Sequence, residues 1–442
     1  MFKVEHLIFS NGERYPMLVD DVGLPHFWVT LFMTSQVRPE GAQNTMASWI
    51  SDIRHFMLWE ETQKRDVLKE FYNLEFLGEN DALLLRDHCL LKADDVRKWL
   101  SYQNSTNVRA LNKDFPSVPR VLDRVTGNQA RTRFSRIVKY LAFTARAMLR
   151  LRPNIEQINE KIAEMEKRLL ANKPKGGGSK SNANSDSKAP KQEVFDDLLE
   201  AVQFDSPRSP YKNQIAKKRN AMVFNILDAT GIRASELLGL KLEDVDYQEK
   251  VIRVVRRHDD PDDPRQRQPT QKTLDRDIPV SEELVQQIRD YVLIERANTL
   301  GANKHPYLVI VHQKCKSRGA PLSNSGFTRF VTAAVKKMGQ AAESYEQEAL
   351  IDEITRHGFR HNFNYKLSKA FDKRNELAKT DPSVKAISER EQNQIRMYLN
   401  GWSSEETADE YNGRHIREEA RELMLEDMQA QSEKIKTRRD KK

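Results

Sequence analysis

ATGIRASELLGLKLEDVD, residues 229–246, joins two helices through a turn. The residues before it, KKRNAMVFNIL (217–227), read as helix, and Gly231 is placed to end that helix because glycine accepts the left-handed backbone that closes one. Arg233 follows the turn, and Glu236 lies one helical turn beyond it. Taken alone, the two are a surface arginine at a helix N-terminus and its acidic mate. Outward from this turn, KVIRVVRR (250–257) and TLDRDIPVS (273–281) read as a strand pair, separated by the Asp/Pro-rich stretch HDDPDDPRQRQPTQK (258–272). Helical segments dominate the remainder.

Three further segments complete the pattern. HGFRHNFNY (357–365) sets His357, Arg360 and His361 close together, and Lys272 stands in TQKTLDRDIPVS (270–281) at the start of a strand. Lys250 flanks the same strand pair and is the alternative lysine. NGWSSEETADEYNGRH (400–415) carries Trp402 and, further on, Tyr411. In order and spacing, TGIRASE, the hairpin lysine, HGFRH, the Gly-Trp pair and the tyrosine after it resemble the catalytic domain of the tyrosine recombinases, the phage integrase family. The resemblance covers residues 210–415 and, by pattern and position alone, the helical region 25–150. It implies a mainly α fold with a small β-sheet: a helical core-binding (SAM-like) domain and a mixed α/β catalytic domain. It also implies a site-specific DNA recombinase that cleaves and rejoins DNA through a 3′-phosphotyrosine intermediate, exchanging strands between two sites through a Holliday junction. FDKRNELAKTDPSVKAISEREQ (371–392) departs from the family pattern and reads as an insertion.

Elementary chemistry makes this residue set intelligible. A phosphodiester under attack gathers negative charge on its non-bridging oxygens, which two arginines, Arg233 and Arg360, can hold with charge-assisted hydrogen bonds. A tyrosine hydroxyl has an ordinary pKa near 10 and becomes a usable nucleophile beside cations and a proton acceptor, the part assigned to Tyr411. The departing DNA hydroxyl needs a proton, for which Lys272 is the donor. His357 is the general base or a hydrogen-bond partner, and the indole N–H of Trp402, which can only donate, braces a phosphate oxygen. Glu236 has a structural part in orienting the arginine turn, and His361 a supporting one. No glycine-rich nucleotide loop and no Asp/Glu metal cluster is evident, so neither a cofactor nor a metal is expected.

The composition agrees with a polyanionic partner. The chain of 442 residues has a formal net charge of +8 and is large enough for several cores. Its two cysteines, Cys89 and Cys315, stand far apart with no metal-ligand spacing around them. No apolar run reaches membrane-spanning length and the N-terminus lacks a secretory layout, so a cytoplasmic protein with no membrane partner is expected. The division expected is a hairpin extension over 1–40, a helical DNA-binding domain over 41–172, a flexible linker over 173–192 (KPKGGGSKSNANSDSKAPKQ), the catalytic domain over 193–415 and a helical tail over 416–442. Met46, Trp49, Ile50, Ile53, Phe56 and Met57 share one helix face after a candidate N-cap, Asn44, and Ile155, Ile158, Ile162, Met165 and Leu169 form a narrower stripe. A further helix buries Phe134, Ile137, Val138 and Leu141, and carries Arg131, Arg133, Arg136, Lys139, Arg146 and Arg150 on its remaining surface. No acid interrupts that surface between Arg131 and Arg152, so it is expected to face DNA phosphates.

The partners expected are double-stranded DNA and three further copies of the chain, forming a tetramer on two sites that associates weakly without DNA. Accessory DNA-bending proteins are a further class. A type IB topoisomerase or a telomere-resolving enzyme would share the chemistry, and a basic regulator could retain the fold without activity. The complete set of Arg233, Lys272, His357, Arg360, Trp402 and Tyr411 argues against the last.

Overall fold

The computed structural model describes residues 2–39, 41–105, 122–176, 192–340, 354 and 357–405, with isolated positions 415, 420, 424, 425 and 428. The chain is mainly helical with small sheets, and it divides into two compact units, residues 1–179 and 180–442. Among the described residues no helix is long and apolar enough to cross a membrane.

The first unit opens with an antiparallel hairpin, β1 (Lys3–Ile8) and β2 (Arg14–Val19), in which Lys3 faces Val19 and Ile8 faces Arg14. The hairpin is not an appendage: Tyr15 and Leu18 are buried in the same core as the helices. It is also shorter than the 40 residues expected, because α1 (Phe27–Phe32) and a π-helical turn over Met33–Val37 occupy the rest. Then come α2 (Gln43–Gln63), α3 (Val67–Tyr72), α4 (Glu79–Cys89) and α5 (Ala93–Ser105), followed by α6 (Gly127–Leu149) and α7 (Ile155–Ala171). The apolar faces read from the sequence supply the core, with Ile50, Ile53 and Phe56 of α2 packed with Phe134, Ile137 and Leu141 of α6. Each such buried side chain contributes about 1.5–3 kcal/mol. The narrow stripe of α7 closes the same core through Ile158, Ile162, Met165 and Leu169, so it docks on its own unit. Helix α2 begins at Gln43, with Ala42 and not Asn44 at its N-cap. Residues 173–176 are irregular, and the remainder of the stretch read as a linker, up to residue 191, lies outside the described residues.

The second unit begins with α8 (Gln192–Ala201) and α9 (Gln214–Thr230). Asn213 caps α9, its side-chain oxygen accepting from the Ala216 N–H. Gly231 ends α9 at φ +60°, where a Cβ would sit 2.6 Å from the Phe363 ring. After this turn α10 (Ala234–Gly239) restarts the helix. The sheet has three strands in the order β3-β4-β5, because β3 (Val245–Asp246) joins the expected pair, β4 (Val251–Val254) and β5 (Arg276–Pro279). Lys272 precedes β5 in irregular chain, so it does not sit on the strand itself. Helices α11 (Glu282–Asp290), α12 (Asn324–Gly339), α13 (Gly358–Thr380) and α14 (Glu389–Asn400) complete the unit. Its core joins Phe224, Leu227 and Leu237 to Ile252, Ile278, Phe327 and Phe359. The stretch 371–392 read as an insertion is the last part of α13, a turn, and the capped start of α14. Asn375 brackets that turn by exchanging hydrogen bonds with the backbone of Ile387.

Candidate active site

One carboxylate organises the second unit. Glu236 of α10 is fully buried and accepts a hydrogen bond from the backbone N–H of Arg233 at 2.8 Å, which fixes the turn between α9 and α10. Its other contacts are cationic or hydroxylic: Arg276 donates to it at 2.9 Å, Thr273 Oγ1 donates to it, and Arg233 Nη1 and Arg360 Nη1 lie at 3.6 and 4.0 Å. Burial pushes the Glu236 carboxyl up, but the charge and hydrogen bonds of Arg276, helped by the Arg360 charge and Thr273, outweigh it and hold the group below the ordinary carboxylate range. Three guanidiniums, of Arg233, Arg276 and Arg360, thus surround one carboxylate, and the cluster keeps a surplus of positive charge.

Arg360 lies in the first turn of α13 and is almost wholly buried. It donates to the carbonyls of Gly231 at 3.1 Å and Asn400 at 2.5 Å, tying the α9 turn to the end of α14. Asn364 donates to the Arg360 carbonyl at 2.8 Å and exchanges amide hydrogen bonds with Asn400. Trp402 is buried, with the Arg360 guanidinium 5.4 Å above its ring centre. Its indole nitrogen is buried too, so Trp402 supports Arg360 from beneath instead of presenting an exposed donor. Gly401, at φ +62°, makes this possible, since a Cβ there would meet Arg276 Nη1 at 2.7 Å and the Leu274 carbonyl at 2.9 Å.

Arg233 differs from Arg360. Its side chain is 25% exposed, and its Nη1 is buried with no hydrogen-bond partner among the described residues. A buried donor without a close acceptor costs about 1–3 kcal/mol, and the carboxylate facing this nitrogen, that of Glu236, stands 3.6 Å away. His357 stands exposed at the N-cap position of α13, and His361, one turn later, is buried. Lys272 is exposed, and its neighbours Gln271 and Thr273 are buried against α10. Lys250 is at the far end of the strand pair, where it bonds Glu282 at 2.6 Å. The structure therefore brings Arg233, Glu236, Arg360 and Trp402 together directly, brackets Lys272 beside them, and leaves Lys250 apart. Tyr411 lies outside the described residues. His415, four positions later, rests on α13, 3.1 Å from Asp372.

Sequence reasoning missed Arg276, Thr273 and Asn400. Arg276 had a signal: it shares a strand face with Ile278, and a charge on the inward face of a strand demands a buried partner. Thr273 and Asn400 carried none, because their partners are distant in sequence.

The basic face of α6 in the first unit divides sharply. Arg133 is buried, donating to the carbonyls of Cys89 at 2.8 Å and Leu91 at 2.9 Å, and its Nη1 lies 3.1 Å from His55 Nε2. It is a structural residue and not part of a DNA-facing surface, because its guanidinium is buried on these carbonyls. Arg136 is held by Asp52 at 2.8 Å and lies over Trp49, and Arg146 pairs with Glu166 at 2.7 Å. The acids missing from the helix's own sequence come from α2 and α7. Arg131, Lys139 and Arg150 remain exposed. Arg131, Arg136 and Lys139 line a groove of about 310 Å³ with Trp49 and Lys173.

Part of the chain resembles known proteins. Residues 194–374 match the phage integrase family. Tyrosine recombinase XerD of Yersinia pestis is 27% identical over 193 residues, a match that covers 44% of this chain and 56% of that relative's length. Among solved structures, that of XerA recombinase is 15% identical with a TM-score of 0.35, covering 90% of this chain and 98% of that one. XerH recombinase bound to a difH substrate is 16% identical with a TM-score of 0.36, covering 78% and 98%. The Tn1549 transposon integrase in complex with circular intermediate DNA is 19% identical with a TM-score of 0.37, covering 65% and 76%. Residues 194–374, which hold Arg233, Lys272, His357 and Arg360 in order, thus match the phage integrase family, and the chain is similar to a tyrosine recombinase over 193 residues.

Proposed function

We propose that the chain is a site-specific recombinase that cuts and rejoins duplex DNA through a 3′-phosphotyrosine. The observation that carries this reading is the cationic cluster of Arg233, Arg276 and Arg360 built on Glu236, in which Arg233 Nη1 has no hydrogen-bond partner among the described residues. A phosphate oxygen supplies the hydrogen-bond acceptor that the described residues do not. Tyr411 Oη attacks phosphorus while the bond to the 5′ oxygen breaks. The departing electron pair stays on that oxygen, which takes a proton from Lys272, and His357 receives or shares the proton of the attacking hydroxyl. Rejoining reverses the step with a 5′ hydroxyl from the partner site. The bond energy is kept in the phosphotyrosine, so no nucleotide is consumed. Residues 41–172 serve as the DNA-gripping domain and 193–415 as the catalytic one, acting in the cytoplasm as a tetramer on two sites.

The test is covalent capture. Full-length protein is incubated with circular duplexes containing randomised sequence, denatured, and its DNA-linked fraction sequenced at the trapped ends. The expected result is a recurring site with protein at the 3′ phosphate, lost in Tyr411→Phe while binding persists. Adducts at 5′ phosphates, or adducts undiminished in Tyr411→Phe, would overturn the assignment. Adducts without sequence preference would favour a relaxing enzyme over a recombinase.

A further inference from the structure

We infer that Thr273 and Gln271 are positioning residues that set Lys272 against the Arg233 turn before DNA arrives. The inference rests on the reading of Lys272 as proton donor to the leaving 5′ oxygen. The loop from β4 to β5 is too long for a tight hairpin, yet it is fastened repeatedly to α10 and the residues just after it. Asp260 accepts from Lys241 at 2.9 Å and from the Tyr307 hydroxyl at 2.8 Å. Arg265, buried over the Tyr307 ring, donates to the carbonyls of Leu238 at 3.0 Å and Leu322 at 2.9 Å. The side chain of Gln271 then lies against Gly239, so closely that a Cβ there would stand 2.5 Å from its Nε2. Thr273 Oγ1 donates to Glu236, the residue that fixes the Arg233 backbone, and the Leu274 N–H reaches the Gly401 carbonyl at 3.2 Å.

Lys272 is therefore the exposed residue between two buried anchors on the helix that Arg233 begins. A lysine side chain is long and flexible, so the position of its Cα decides where the ammonium can reach. Fixing that Cα on α10 makes the distance between proton donor and phosphate-binding arginine a property of the folded protein, and lessens the ordering that DNA binding must impose.

The experiment uses full-length protein and a duplex carrying the site recovered by covalent capture, in two forms: the ordinary scissile phosphate, and one whose bridging 5′ oxygen is sulfur. A thiolate leaves without a proton, so sulfur restores only what a proton donor has lost. Single-turnover cleavage is measured for wild type, Lys272→Ala, Thr273→Val, Thr273→Ser and Gln271→Ala. The expected result is a fall of about tenfold on the oxygen substrate for Thr273→Val and Gln271→Ala, a part of the ~10²–10⁴ that a positioned acid supplies. On the sulfur substrate both should return to near the wild-type rate, and Thr273→Ser should stay close to wild type on both. Should Thr273→Val fail to fold, Gln271→Ala carries the same test. If Lys272→Ala is rescued by sulfur while Thr273→Val and Gln271→Ala are unaffected, or slowed equally on both substrates, the positioning role is overturned and the proton donor stands. If Lys272→Ala itself is not rescued, the reading of Lys272 falls, and the inference with it.

Discussion

Arg133 and Arg131, two positions apart on one helix, show what residue type alone conveys. Both are arginines on a run free of acids, and the sequence gives no reason to separate them. Their positions do: Arg133 points inward to backbone carbonyls of Cys89 and Leu91, whereas Arg131 is exposed beside Lys139. Arg133→Ala should therefore destabilise the first unit by about 3 kcal/mol or more, because buried carbonyls lose their donor. It should leave the salt dependence of DNA binding unchanged at temperatures where the unit is folded. Arg131→Ala should leave the melting temperature in place and reduce the slope of log affinity against log salt by about 1. Denaturant titration and filter binding over a salt series separate the two. At the candidate site the legible residues were those whose chemistry is exposed by motif, Arg233, Glu236 and Arg360. Thr273 and Asn400 stayed hidden because their function lies in contacts spanning 37 and 40 positions, which no local pattern encodes.

Elements were legible wherever one apolar period ran long enough. The faces of α2, α6 and α7 were read correctly because each repeats over several turns. The short β3 was missed, since two residues carry no period, and its pairing with β4 follows from the path of the chain after α10. The two glycine turns are where sequence and packing coincide. Gly231 ends α9 at positive φ beneath the Phe363 ring, and Gly401 ends α14 at positive φ against Arg276. Alanine at either site meets both an unfavourable backbone and a steric clash, so each variant should lose more than the ~1 kcal/mol of a simple left-handed penalty. Their outcomes should differ. Gly401→Ala pushes on Arg276 and the Leu274 carbonyl, and should cost cleavage rate beyond what its thermal melt predicts. Equal melts and unchanged cleavage for both variants would mean that these close approaches are not maintained in solution.

For the whole molecule, acid should weaken the unit of residues 1–179 through a buried histidine pair. Burial, with the neighbouring His88 and Arg133 charges, holds the His55 imidazole down to about 3, and burial with Arg133 holds His88 down to about 4. Each histidine is a base with a depressed folded pKa, so the unfolded chain binds more protons below its ordinary value of 6.5. The stability each contributes is complete above that value and is lost as pH falls from 6.5 towards 4 and 3. Glu60, raised to about 7 by burial, has the opposite sign over part of this range, so the comparison is best made between the wild type and a His55→Gln, His88→Gln double variant. Trp28, Trp49, Trp59 and Trp99 lie in this unit and only Trp402 in the other, so tryptophan fluorescence reports the transition. The wild type should lose melting temperature below pH 6.5 more steeply than the double variant; parallel curves would mean that the pair titrates normally. The central claim, DNA cleavage by Tyr411, is tested most directly by mass spectrometry of the trapped adduct after nuclease and trypsin digestion. The peptide MYLNGWSSEETADEYNGR (397–414) contains both Tyr398 and Tyr411. Fragmentation should place a 3′-linked nucleotide phosphate on Tyr411 and leave Tyr398 unmodified, whereas the same mass on Tyr398, or on any residue outside this peptide, would contradict the account.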